Sequence, residues 1–581
     1  MAAKKIGVYI CHCGVNIAHT VDIEEIRGFA AGLPHVKVSE NYMYMCSEPG
    51  QEQIRKDIRE KGLNRIVVAA CSPRMHEPTF RGALQSAGLN PYCLEIANIR
   101  EHCAWVHKDK AKGTAKAKSL IAAAVAKVAL VEPLEEREVD VTKTALVVGG
   151  GIAGIQAALD IADTGFKTYL VEKDPSIGGH MMQLDKTFPT LDCSACILTP
   201  KMADIKNHPN IELLAFSEVE EVSGFVGNFK VKVKKKPRYI DEAICNACGS
   251  CATYCSIAIL DKFNEGFSKL QALHIPFPQA IPAAYFISEE ECRYLKEGTC
   301  RQCEQVCKEL NAINLDMQEE IVELDVGTII VATGFQTFDP AKKPELGYTR
   351  YENVITGMEF ERIVSASGPN QGELLISGQK PKEVVFIQCV GSRDKTVGNE
   401  HCSRVCCMYT AKHAHLVKEK LPDARVTIFY IDVRAFGKGY EEFYDRVKGE
   451  GVYYRRGNVS EIYKKGDKLI CRAEDTLQGV PVEVPADLVV LAVGMEPSDS
   501  SKQLGKLMKL SNSADSFFLE AHPKLRPVDT GSDGVFLAGC CQGPKDIPDT
   551  VAQAGAAAAK AVIPLARGKV KTETMVAKVR V

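Results

Sequence analysis

Residues 144–174, TALVVGGGIAGIQAALDIADTGFKTYLVEKD, constrain the fold more than any other stretch of the sequence. The pattern predicts a strand, a glycine turn, a helix and a second strand that ends in an acid. The G-x-G-x-x-G spacing lets the backbone approach a pyrophosphate, and an acid at this place binds ribose hydroxyls. We therefore predict a dinucleotide-binding unit, with a purely structural glycine turn as the alternative. Its candidate binding residues are Gly149, Gly151, Gly154, Glu172 and Lys173.

Two later segments favour FAD as the dinucleotide. VGTIIVATGFQ (326–336) predicts a strand ending in an Ala-Thr-Gly turn, and GVFLAGCCQGPKDIPDTVAQAGAAAAKAV (534–562) predicts a strand, a glycine and an Ala-rich helix. Both resemble elements of two-dinucleotide-domain flavoproteins, in which the helix N-terminus faces the flavin. Those flavoproteins have Gly-Asp where this sequence has Gly-Cys, so a later aspartate is a candidate substitute for the acid that holds the ribityl chain. The further candidate contacts are Gly179, Thr333, Gly334, Gly539 and Asp546.

The predicted fold class is α/β, a two-dinucleotide-domain flavoprotein of the thioredoxin-reductase type with two additional domains. A chain of 581 residues is too long for a single core. We divide it into an N-terminal α/β domain, a flavin domain in three parts, an inserted two-cluster ferredoxin-like domain and a second Rossmann-like domain. In chain order the boundaries are 1–140 (N-terminal), 141–240 (flavin), 241–312 (ferredoxin-like), 313–380 (flavin), 381–500 (second Rossmann-like) and 501–581 (flavin).

Cysteine is the outlier in the composition, with 23 cysteines against one tryptophan. In a large chain without a secretory leader, metal or redox chemistry explains them better than disulfides. The runs CNACGSCATYC and CRYLKEGTCRQCEQVC have the short steps that bind [4Fe-4S] clusters, and the fourth cysteine of such a run typically ligates the other cluster. Zinc is the alternative. The first predicted set is Cys245, Cys248, Cys251 and Cys307, and the second is Cys255, Cys292, Cys300 and Cys303.

VVFIQCVGSRD (384–394) predicts the first strand and turn of a second Rossmann unit, where NAD(P)H would bind in this type of flavoprotein. The glycine fingerprint is missing and cysteines stand in its place, so we predict a third [4Fe-4S] cluster, with buried packing cysteines as the alternative. Two of these cysteines are adjacent, and because neighbouring helix positions diverge by about 100°, irregular backbone is expected there. The predicted ligands are Cys389, Cys402, Cys406 and Cys407.

Residues 1–110 alternate predicted strands and helices, and cysteines follow the strands. The carboxyl ends of parallel strands converge on one edge of a sheet, where ligands bind, so a fourth cluster is expected there. Its candidate ligands are Cys11, Cys13, Cys46, Cys71 and Cys103. Another pair, Cys193 and Cys196, has three open interpretations: ligands of a neighbouring cluster, a dithiol, or packing residues.

Longer motifs make the sequence similar to the family of heterodisulfide reductase A subunits. They are CHCGVNIA, CSPRMHEPTFR, GGHMMQLDKTFPTLDCSACILTPKM, IQCVGSRD, HCSRVCCMYTAKHA and AGCCQGPKDIPDTVAQA, and the match extends over nearly the whole chain. The resemblance implies FAD, several [4Fe-4S] clusters, an unusual cluster on the cysteines of the second Rossmann unit, and flavin-based electron bifurcation. It also implies a lysine near the flavin, which matches Lys412, the candidate catalytic residue. The ligand sets counted above predict at least three clusters, with a fourth in the N-terminal domain.

The resemblance further implies partners. These are B- and C-type subunits, a second copy of the chain, and an electron-donor module of the hydrogenase, formate dehydrogenase or NADH-oxidising type. Many members carry a C-terminal two-cluster ferredoxin, whereas this sequence runs from the flavin domain to TETMVAKVRV, so electron entry is expected through a different polypeptide or cluster.

Two other functions compete with this interpretation. Quinone-interacting oxidoreductases of sulfate reducers share many of the motifs, so a non-bifurcating electron-transfer component is the main alternative. A pyridine-nucleotide-dependent flavoenzyme, such as the small component of glutamate synthase, is disfavoured by the missing second glycine fingerprint.

Charge and hydropathy exclude some partners. A net charge of −2 gives no reason to expect nucleic acid or an anionic membrane surface. The sequence has no apolar run of about 18 residues, and its N-terminus predicts a first strand, so we expect a cytoplasmic protein without direct membrane insertion.

Overall fold

The computed structural model of the chain describes residues 3–572. These residues form two compact units, one made of residues 3–137 with 571–572 and the other of residues 138–570. No helix within the described range combines the length and apolar character needed to cross a lipid bilayer.

The first unit is a four-stranded parallel sheet covered by helices. Its first strand, IGVYIC, is buried along its whole length, as expected for a parallel sheet with helices on both faces. Asp22 begins the first helix by accepting a hydrogen bond from the Glu25 backbone N–H. In sheet order the strands are Val36–Tyr42, Ile6–Cys11, Arg65–Ala70 and Leu94–Asn98. The helices are Ile23–Ala31, Glu48–Lys61, Pro73–Ser86 and Lys110–Leu130, with a π-helical turn at Arg100–Ala104.

The second unit contains two five-stranded parallel sheets. We call the first the glycine-turn sheet, because the predicted glycine fingerprint follows its central strand. In sheet order its strands are Val535–Leu537, Thr328–Val331, Thr144–Val148, Lys167–Val171 and Ile211–Leu214. The helices Ile152–Asp163, Ser194–Asn207 and Ile547–Arg567 belong to this half, and an antiparallel layer is formed by Ser217–Phe225, Asn228–Lys235 and Glu320–Val326.

We call the other sheet the cysteine-turn sheet, because a cysteine-bearing loop follows its central strand. In sheet order its strands are Val354–Thr356, Leu488–Val493, Glu383–Val390, Arg425–Tyr430 and Tyr453–Arg456. Its helices are Gly357–Val364, Cys406–Lys420 and Tyr440–Gly449, and its antiparallel layer is Val459–Lys465, Lys468–Asp475 and Val480–Ala486. Strands Phe335–Thr337 and Met495–Pro497 pair antiparallel and connect the two halves.

Residues 241–312, predicted from the sequence to be an inserted ferredoxin-like domain, contain little regular structure, and we call this segment the insertion. Its core consists of a few buried side chains, among them Leu273, Ile287 and Ala312, with six of the predicted ligand cysteines packed against or within it. Its elements are the helices Ser250–Thr253, Arg293–Glu297 and Gln302–Val306 and the strands Ala258–Leu260, Lys269–Gln271, Leu273–His274 and Phe286–Ile287. Helix Asp499–Leu507 and strands Arg137–Asp140 and Lys569–Thr572 complete the longer elements.

Candidate functional site

The glycine turn forms a backbone cradle at the start of helix Ile152–Asp163. Gly149 has a φ of +112°, and a Cβ there would lie 2.3 Å from the carbonyl oxygen of Ala332. A Cβ on Gly154 would lie 1.7 Å from the Gly149 carbonyl oxygen, so the turn and the helix pack too closely for any side chain. A Cβ on Gly151 would meet nothing within 4 Å. The space in front of this helix N-terminus therefore fits a phosphate group of a dinucleotide.

Glu172 supports the turn from the end of the neighbouring strand. Its carboxylate accepts hydrogen bonds from the backbone N–H of Gly150 at 2.5 Å and of Asp174 at 2.9 Å. Burial, followed by the nearby Asp174 carboxylate, raises the pKa of Glu172 to about 7. A carboxylate has lone pairs for further donors, so the predicted ribose contact is compatible with this bracing role. Lys173, the next residue, is exposed.

The other predicted flavin contacts collect around the same turn. A Cβ on Gly179 would lie 3.2 Å from the Cα of Gly151. Thr333 hydrogen-bonds Ser501 through its hydroxyl at 2.8 Å, and Gly334 has a φ of +65° with open space around it. Gly539, which precedes the closing helix, has a φ of +76°, and a Cβ there would lie 2.8 Å from a side chain of helix Ile152–Asp163. Gly179, Gly334, Gly539 and the glycine turn itself come from four separate segments of the chain that meet around this turn.

Asp546 has a structural role that the sequence interpretation missed. It caps helix Ile547–Arg567 by accepting a hydrogen bond from the Asp549 backbone N–H at 2.8 Å. Its other carboxylate oxygen accepts a hydrogen bond from the Tyr440 hydroxyl at 2.6 Å. Both carboxylate oxygens of Asp546 therefore have structural partners, and its suggested contact with the ribityl chain stays a prediction.

In the cysteine-turn sheet, the glycine turn is replaced by loop 391–405 and four neighbouring thiols. Burial, followed by Cys407, raises the pKa of Cys389 to about 12. Burial also raises the pKa of Cys406 well above its usual value, and Cys389, Cys407 and Cys402 add to that rise. Four neighbouring thiolates would repel one another unless a positively charged group lay between them. Bound iron would supply that charge, and a thiol that coordinates a metal is deprotonated outright.

The backbone irregularity expected at the adjacent cysteines lies just before them. Arg404 has a φ of +61°, and Val405 precedes the helix without a side-chain cap. Cys406 and Cys407 then occupy the first two positions of regular helix Cys406–Lys420. The expectation of irregular backbone at Cys406 and Cys407 was wrong. The irregular backbone is at Arg404 and Val405, where the turn before the helix already reorients the chain.

An orphaned donor beside these thiols fits an electronegative group. The amide Nε2 of Gln388 is buried and has no hydrogen-bond partner among the described residues. The Cys407 thiol lies 3.6 Å from the amide oxygen of the same side chain. An unpaired buried N–H costs free energy unless something accepts from it, and the sulfur atoms of a cluster are acceptors of this kind.

The insertion separates its eight cysteines into two sets of four. One cavity is lined by Cys245, Cys248, Cys251 and Cys307, and a second by Cys255, Cys292, Cys300 and Cys303. Each set takes its fourth thiol from the other run, which is the interlocked grouping predicted from the spacing. Their role as cluster ligands stays a prediction, and the grouping supports it.

In the first unit, four of the five candidate cysteines lie together at the carboxyl edge of the sheet. Burial raises the pKa of the Cys11 thiol, backbone hydrogen bonds from Met45 and Cys13 oppose that rise, and the nearby thiols of Cys13 and Cys46 add to it. Burial also raises the pKa of Cys71 to about 11, with contributions from Cys13 and Cys11.

Cys103 does not join this set. It is fully buried, and its thiol donates to the Gly113 carbonyl oxygen at 3.1 Å. Its inclusion among the candidate ligands is corrected, because the π-helical turn directs this side chain into the packing under helix Lys110–Leu130.

Three of the predicted ligands share an unusual backbone conformation. Cys13, Cys300 and Cys389 have φ values of 51°, 80° and 60°, in the left-handed region that non-glycine residues rarely adopt. They belong to three different thiol sets. Strain of this kind persists mainly where function requires it, and sequence spacing gave no sign of it.

Cys193 and Cys196 are joined by a disulfide, with their Cα atoms 5.2 Å apart. Both residues are exposed at the start of helix Ser194–Asn207. Their assignment as metal ligands is therefore not supported in this state, because the two sulfurs are bonded to each other. Of the three interpretations left open, the paired dithiol matches the structure.

Lys412 lies on helix Cys406–Lys420, and its side chain is almost fully buried. Its ammonium group forms an ion pair with Glu361 and donates a hydrogen bond to the Lys186 carbonyl oxygen at 2.8 Å. Lys186 belongs to the glycine-turn half. The candidate catalytic lysine therefore lies where the two halves of the second unit meet.

Glu361, which sequence reasoning missed, holds this lysine in place. Its carboxylate also accepts hydrogen bonds from His413 Nε2 at 2.5 Å and from the Asp185 backbone N–H at 2.9 Å. Burial by itself would raise the pKa of Glu361, but Lys412 and His413 outweigh that effect and lower it to about 2. Glu361 therefore remains a carboxylate, and it connects the cysteine-turn helix to the glycine-turn half.

No three His, Cys, Asp or Glu side chains in residues 3–572 converge on a point that one metal ion would occupy. A [4Fe-4S] cluster binds its thiolates around a cube, whereas zinc takes its four ligands at a single ion. The assignment of clusters rather than zinc to the thiol sets stays a prediction.

Comparison with known proteins agrees with this fold. The family described as pyridine nucleotide-disulphide oxidoreductase matches residues 143–558, which include both parallel sheets. The predicted α/β two-dinucleotide-domain architecture is confirmed, and the chain is an oxidoreductase of this flavin-dependent class. A solved thioredoxin reductase of T. acidophilum is 14% identical, covers 73% of this chain and 98% of its own, and has a TM-score of 0.41.

Curated relatives are similar over nearly the whole chain. The A subunit of the H₂:CoB-CoM heterodisulfide, ferredoxin reductase of Methanothermobacter marburgensis is 56% identical over 99% of this chain and 87% of its own. One of the iron-sulfur A subunits of CoB-CoM heterodisulfide reductase in Methanopyrus kandleri is 56% identical over 99% and 88%. The A subunit of the ferredoxin/F420H₂-dependent CoB-CoM heterodisulfide reductase of Methanosarcina acetivorans is 45% identical over 98% and 72%. The chain belongs to the family of heterodisulfide reductase A subunits.

Proposed function

We propose that the chain is the FAD- and [4Fe-4S]-containing electron-transfer component of a heterodisulfide-reductase-type complex. It would pass electrons between a donor module and B- and C-type subunits, and its flavin would divide electron pairs between two routes. The relatives' names give a CoB-CoM heterodisulfide as their substrate. Reduction of such a disulfide consumes two electrons and two protons and releases two thiols, and we assign that step to a partner protein of the complex.

The observation that carries this proposal is the sorting of sixteen cysteines into four sets of four. Two sets lie in the insertion, one follows the cysteine-turn strand, and one lies at the edge of the first unit. A single-purpose flavoenzyme with a nicotinamide substrate needs none of these sets. A flavin that passes electrons on one at a time needs several one-electron acceptors, and [4Fe-4S] clusters can differ in reduction potential by hundreds of millivolts.

Different residues of the chain would bind the flavin, place a charge near it and bind the next cluster. The glycine cradle and Glu172 would hold the dinucleotide part of FAD, and when bound, this cofactor accepts two electrons together and releases them one at a time. Lys412, fixed by Glu361, would place a positive charge at the junction of the two halves. Cys406 and Cys407, on the same helix, would hold the cluster that receives electrons next.

Cofactor content tests the proposal first. Anaerobically purified protein should contain one FAD and about sixteen iron atoms per chain, since each of four clusters holds about four. Absorbance, iron and zinc analysis and EPR of the reduced protein measure this directly. Iron near or below about eight atoms per chain, with zinc in its place, would contradict the cluster assignment.

Bifurcation is distinguished from simple electron transfer by stoichiometry. In the complete complex, oxidation of one two-electron donor should reduce a high-potential and a low-potential acceptor in equal electron amounts, and omission of either acceptor should stop both reductions. Independent reduction of either acceptor alone would instead support the non-bifurcating alternative. Mass spectrometry of the anaerobically isolated complex would identify the B- and C-type subunits and the donor.

A further inference from the structure

Arg100 lies among the thiols of the first unit. Its Nη1 donates a hydrogen bond to Cys13 Sγ at 3.1 Å, and its Nη2 donates to Met75 Sδ at 3.4 Å and to Glu101 Oε1 at 2.8 Å. Its Nε is buried and has no hydrogen-bond partner in the part of the chain that the structure describes. A guanidinium group is a permanent cation with five N–H donors, and here it is directed at sulfur atoms.

The surrounding backbone fixes this position. Arg100 begins the π-helical turn Arg100–Ala104, a rare geometry that often occurs at functional sites. The Asn98 side chain accepts hydrogen bonds from the backbone N–H of Arg100 at 3.3 Å and of Glu101 at 3.0 Å. Glu101 in turn accepts from the backbone N–H of Ser72 at 2.9 Å. Arg100 is therefore held by the loops that follow the third and fourth strands while it contacts the loop after the first.

We propose that Arg100 is the positioning residue that raises the reduction potential of the N-terminal cluster, acting through its hydrogen bond to Cys13 Sγ. The inference rests on the proposed function, because it requires a cluster on Cys11, Cys13, Cys46 and Cys71. Reduction of this cluster adds one electron, with no bond made or broken. A cation that donates to a ligand sulfur stabilises the added negative charge, so the cluster accepts an electron more readily.

The test is an EPR-monitored redox titration of the full chain, prepared anaerobically, with dithionite as the reductant. The Cys71→Ser variant first identifies which iron and which EPR signal belong to the N-terminal cluster. Arg100→Met then removes the cation and its donors. We expect at least a tenfold smaller ratio of reduced to oxidised N-terminal cluster at a fixed potential, equivalent to about 59 mV for one electron. The other clusters should keep their potentials.

A conservative variant and a control separate this effect from structural damage. Arg100→Lys keeps the charge but loses the guanidinium fork, so its potential should fall by less than that of Arg100→Met. Arg81→Met removes an arginine of the same unit that pairs with Glu77 at 2.7 Å and stacks on Tyr92, and it should leave every potential unchanged. Because arginine stays charged, the difference between the parent and Arg100→Met should be the same at pH 6 and pH 9.

The outcomes are distinguishable. If the N-terminal cluster keeps its potential in both Arg100 variants, Arg100 only ties loops together and the inference is wrong while the proposed function stands. If Arg100→Met does not retain the cluster, Arg100→Lys decides: a lowered potential supports the inference, and an unchanged one overturns it. If Cys71→Ser loses neither iron nor signal, the N-terminal cluster itself is wrong, and the inference falls with it.

Discussion

The two parallel sheets of the second unit have five strands each, yet they differ sharply at one connection. In the glycine-turn sheet, residues 149–151 alone join the central strand to its helix, whereas in the cysteine-turn sheet residues 391–405 do so. Both helices begin without a side-chain hydrogen bond at the N-cap. A helix N-terminus of this kind favours an anion, which is a pyrophosphate in one case and, in our proposal, an iron–sulfur cluster in the other.

The acid after the second strand differs in the same way. Glu172 of the glycine-turn sheet accepts a hydrogen bond from Gly150 of the turn. Asp432, which follows strand Arg425–Tyr430, forms an ion pair with Arg393 of the cysteine-bearing loop at 2.6 Å. The hydrogen bond from Arg393 is the main reason that the pKa of Asp432 is lowered. The acid that would bind a ribose in a dinucleotide site is here tied to the loop that carries the cysteines.

In both sheets, the connection between the central strand and its helix determines which cofactor the fold can hold. The same strand order supports a dinucleotide cradle where the turn is short and rich in glycine. It supports a thiol set where the turn is long. Cys389, with a φ of 60°, keeps the left-handed backbone that a glycine would adopt and adds a thiol to it.

The largest expected effect concerns the glycine turn. Gly154→Ala should lower FAD affinity by more than about 100-fold, because a Cβ would lie 1.7 Å from the Gly149 carbonyl oxygen and force the cradle apart. Flavin absorbance per chain measures the loss, and the iron bound near the cysteine turn should remain. Gly531→Ala, where a Cβ meets nothing within 4 Å, is the control. Normal FAD content in Gly154→Ala would break the comparison on the glycine side.

The ion pair that connects the two halves should come next. Glu361→Gln leaves the Lys412 ammonium buried without its carboxylate, which should cost about 3–5 kcal/mol. Glu419→Gln is the matched control, because Glu419 lies on the same helix as Lys412, is half exposed and pairs with Lys186. This substitution should cost less than about 1 kcal/mol. Protection of helix Cys406–Lys420 from hydrogen exchange measures the loss of stability in each of the two variants. Equal protection in the two variants would show that the buried pair does not hold the halves together.

The same carboxylate predicts a pH dependence. The pKa of Glu361 is lowered from 4.5 to about 2 by Lys412 and His413 against the effect of burial. Its contribution to stability is therefore complete above about pH 4.5 and is lost as the pH falls towards 2. Hydrogen-exchange protection of helix Cys406–Lys420 should be flat from pH 7 to 5 apart from intrinsic exchange rates, and then decline. The Glu361→Gln variant should lack this component, and an identical profile in both proteins would contradict the assignment.

The smallest expected effect is the response to nicotinamide nucleotides. NADH and NADPH should bind with dissociation constants above about 1 mM and should not bleach the flavin of the isolated chain, because loop 391–405 offers no glycine cradle for a pyrophosphate. Stopped-flow absorbance measures the bleaching, with dithionite as the positive control. Rapid bleaching by either nucleotide would show that the cysteine-turn sheet still binds a nicotinamide nucleotide.

Local patterns predicted much of this molecule. The strand–turn–helix at Gly149 and the alternating strands and helices of residues 1–110 follow from periodicity and turn residues, which act over a few positions. The grouping of the insertion cysteines followed from short spacings that limit where each thiol can reach. The capping role of Asp546 was missed, although Asp followed by Ile-Pro is an N-cap signal that the sequence contains.

The remaining features depend on contacts between distant positions. Glu361 meets Lys412 across 51 positions, and Arg100 meets Cys13 across 87, so neither contact has a local signature. Cys103 shows a different limit: the strand-end rule places a residue near an edge but does not tell which way its side chain points.

The central claim is that the cysteine-turn sheet binds a cluster where a second dinucleotide would otherwise lie, and Cys407→Ser tests it most directly. A serine preserves the size of the side chain but is a poor iron ligand. Cys471→Ser is the control, because Cys471 is buried within strand Lys468–Asp475. Iron analysis and EPR of both variants should show a loss of about four iron atoms and one reduced signal in Cys407→Ser alone, with FAD unchanged. Unchanged iron and an unchanged reduced spectrum in Cys407→Ser would mean that the thiols only pack, and would contradict the account.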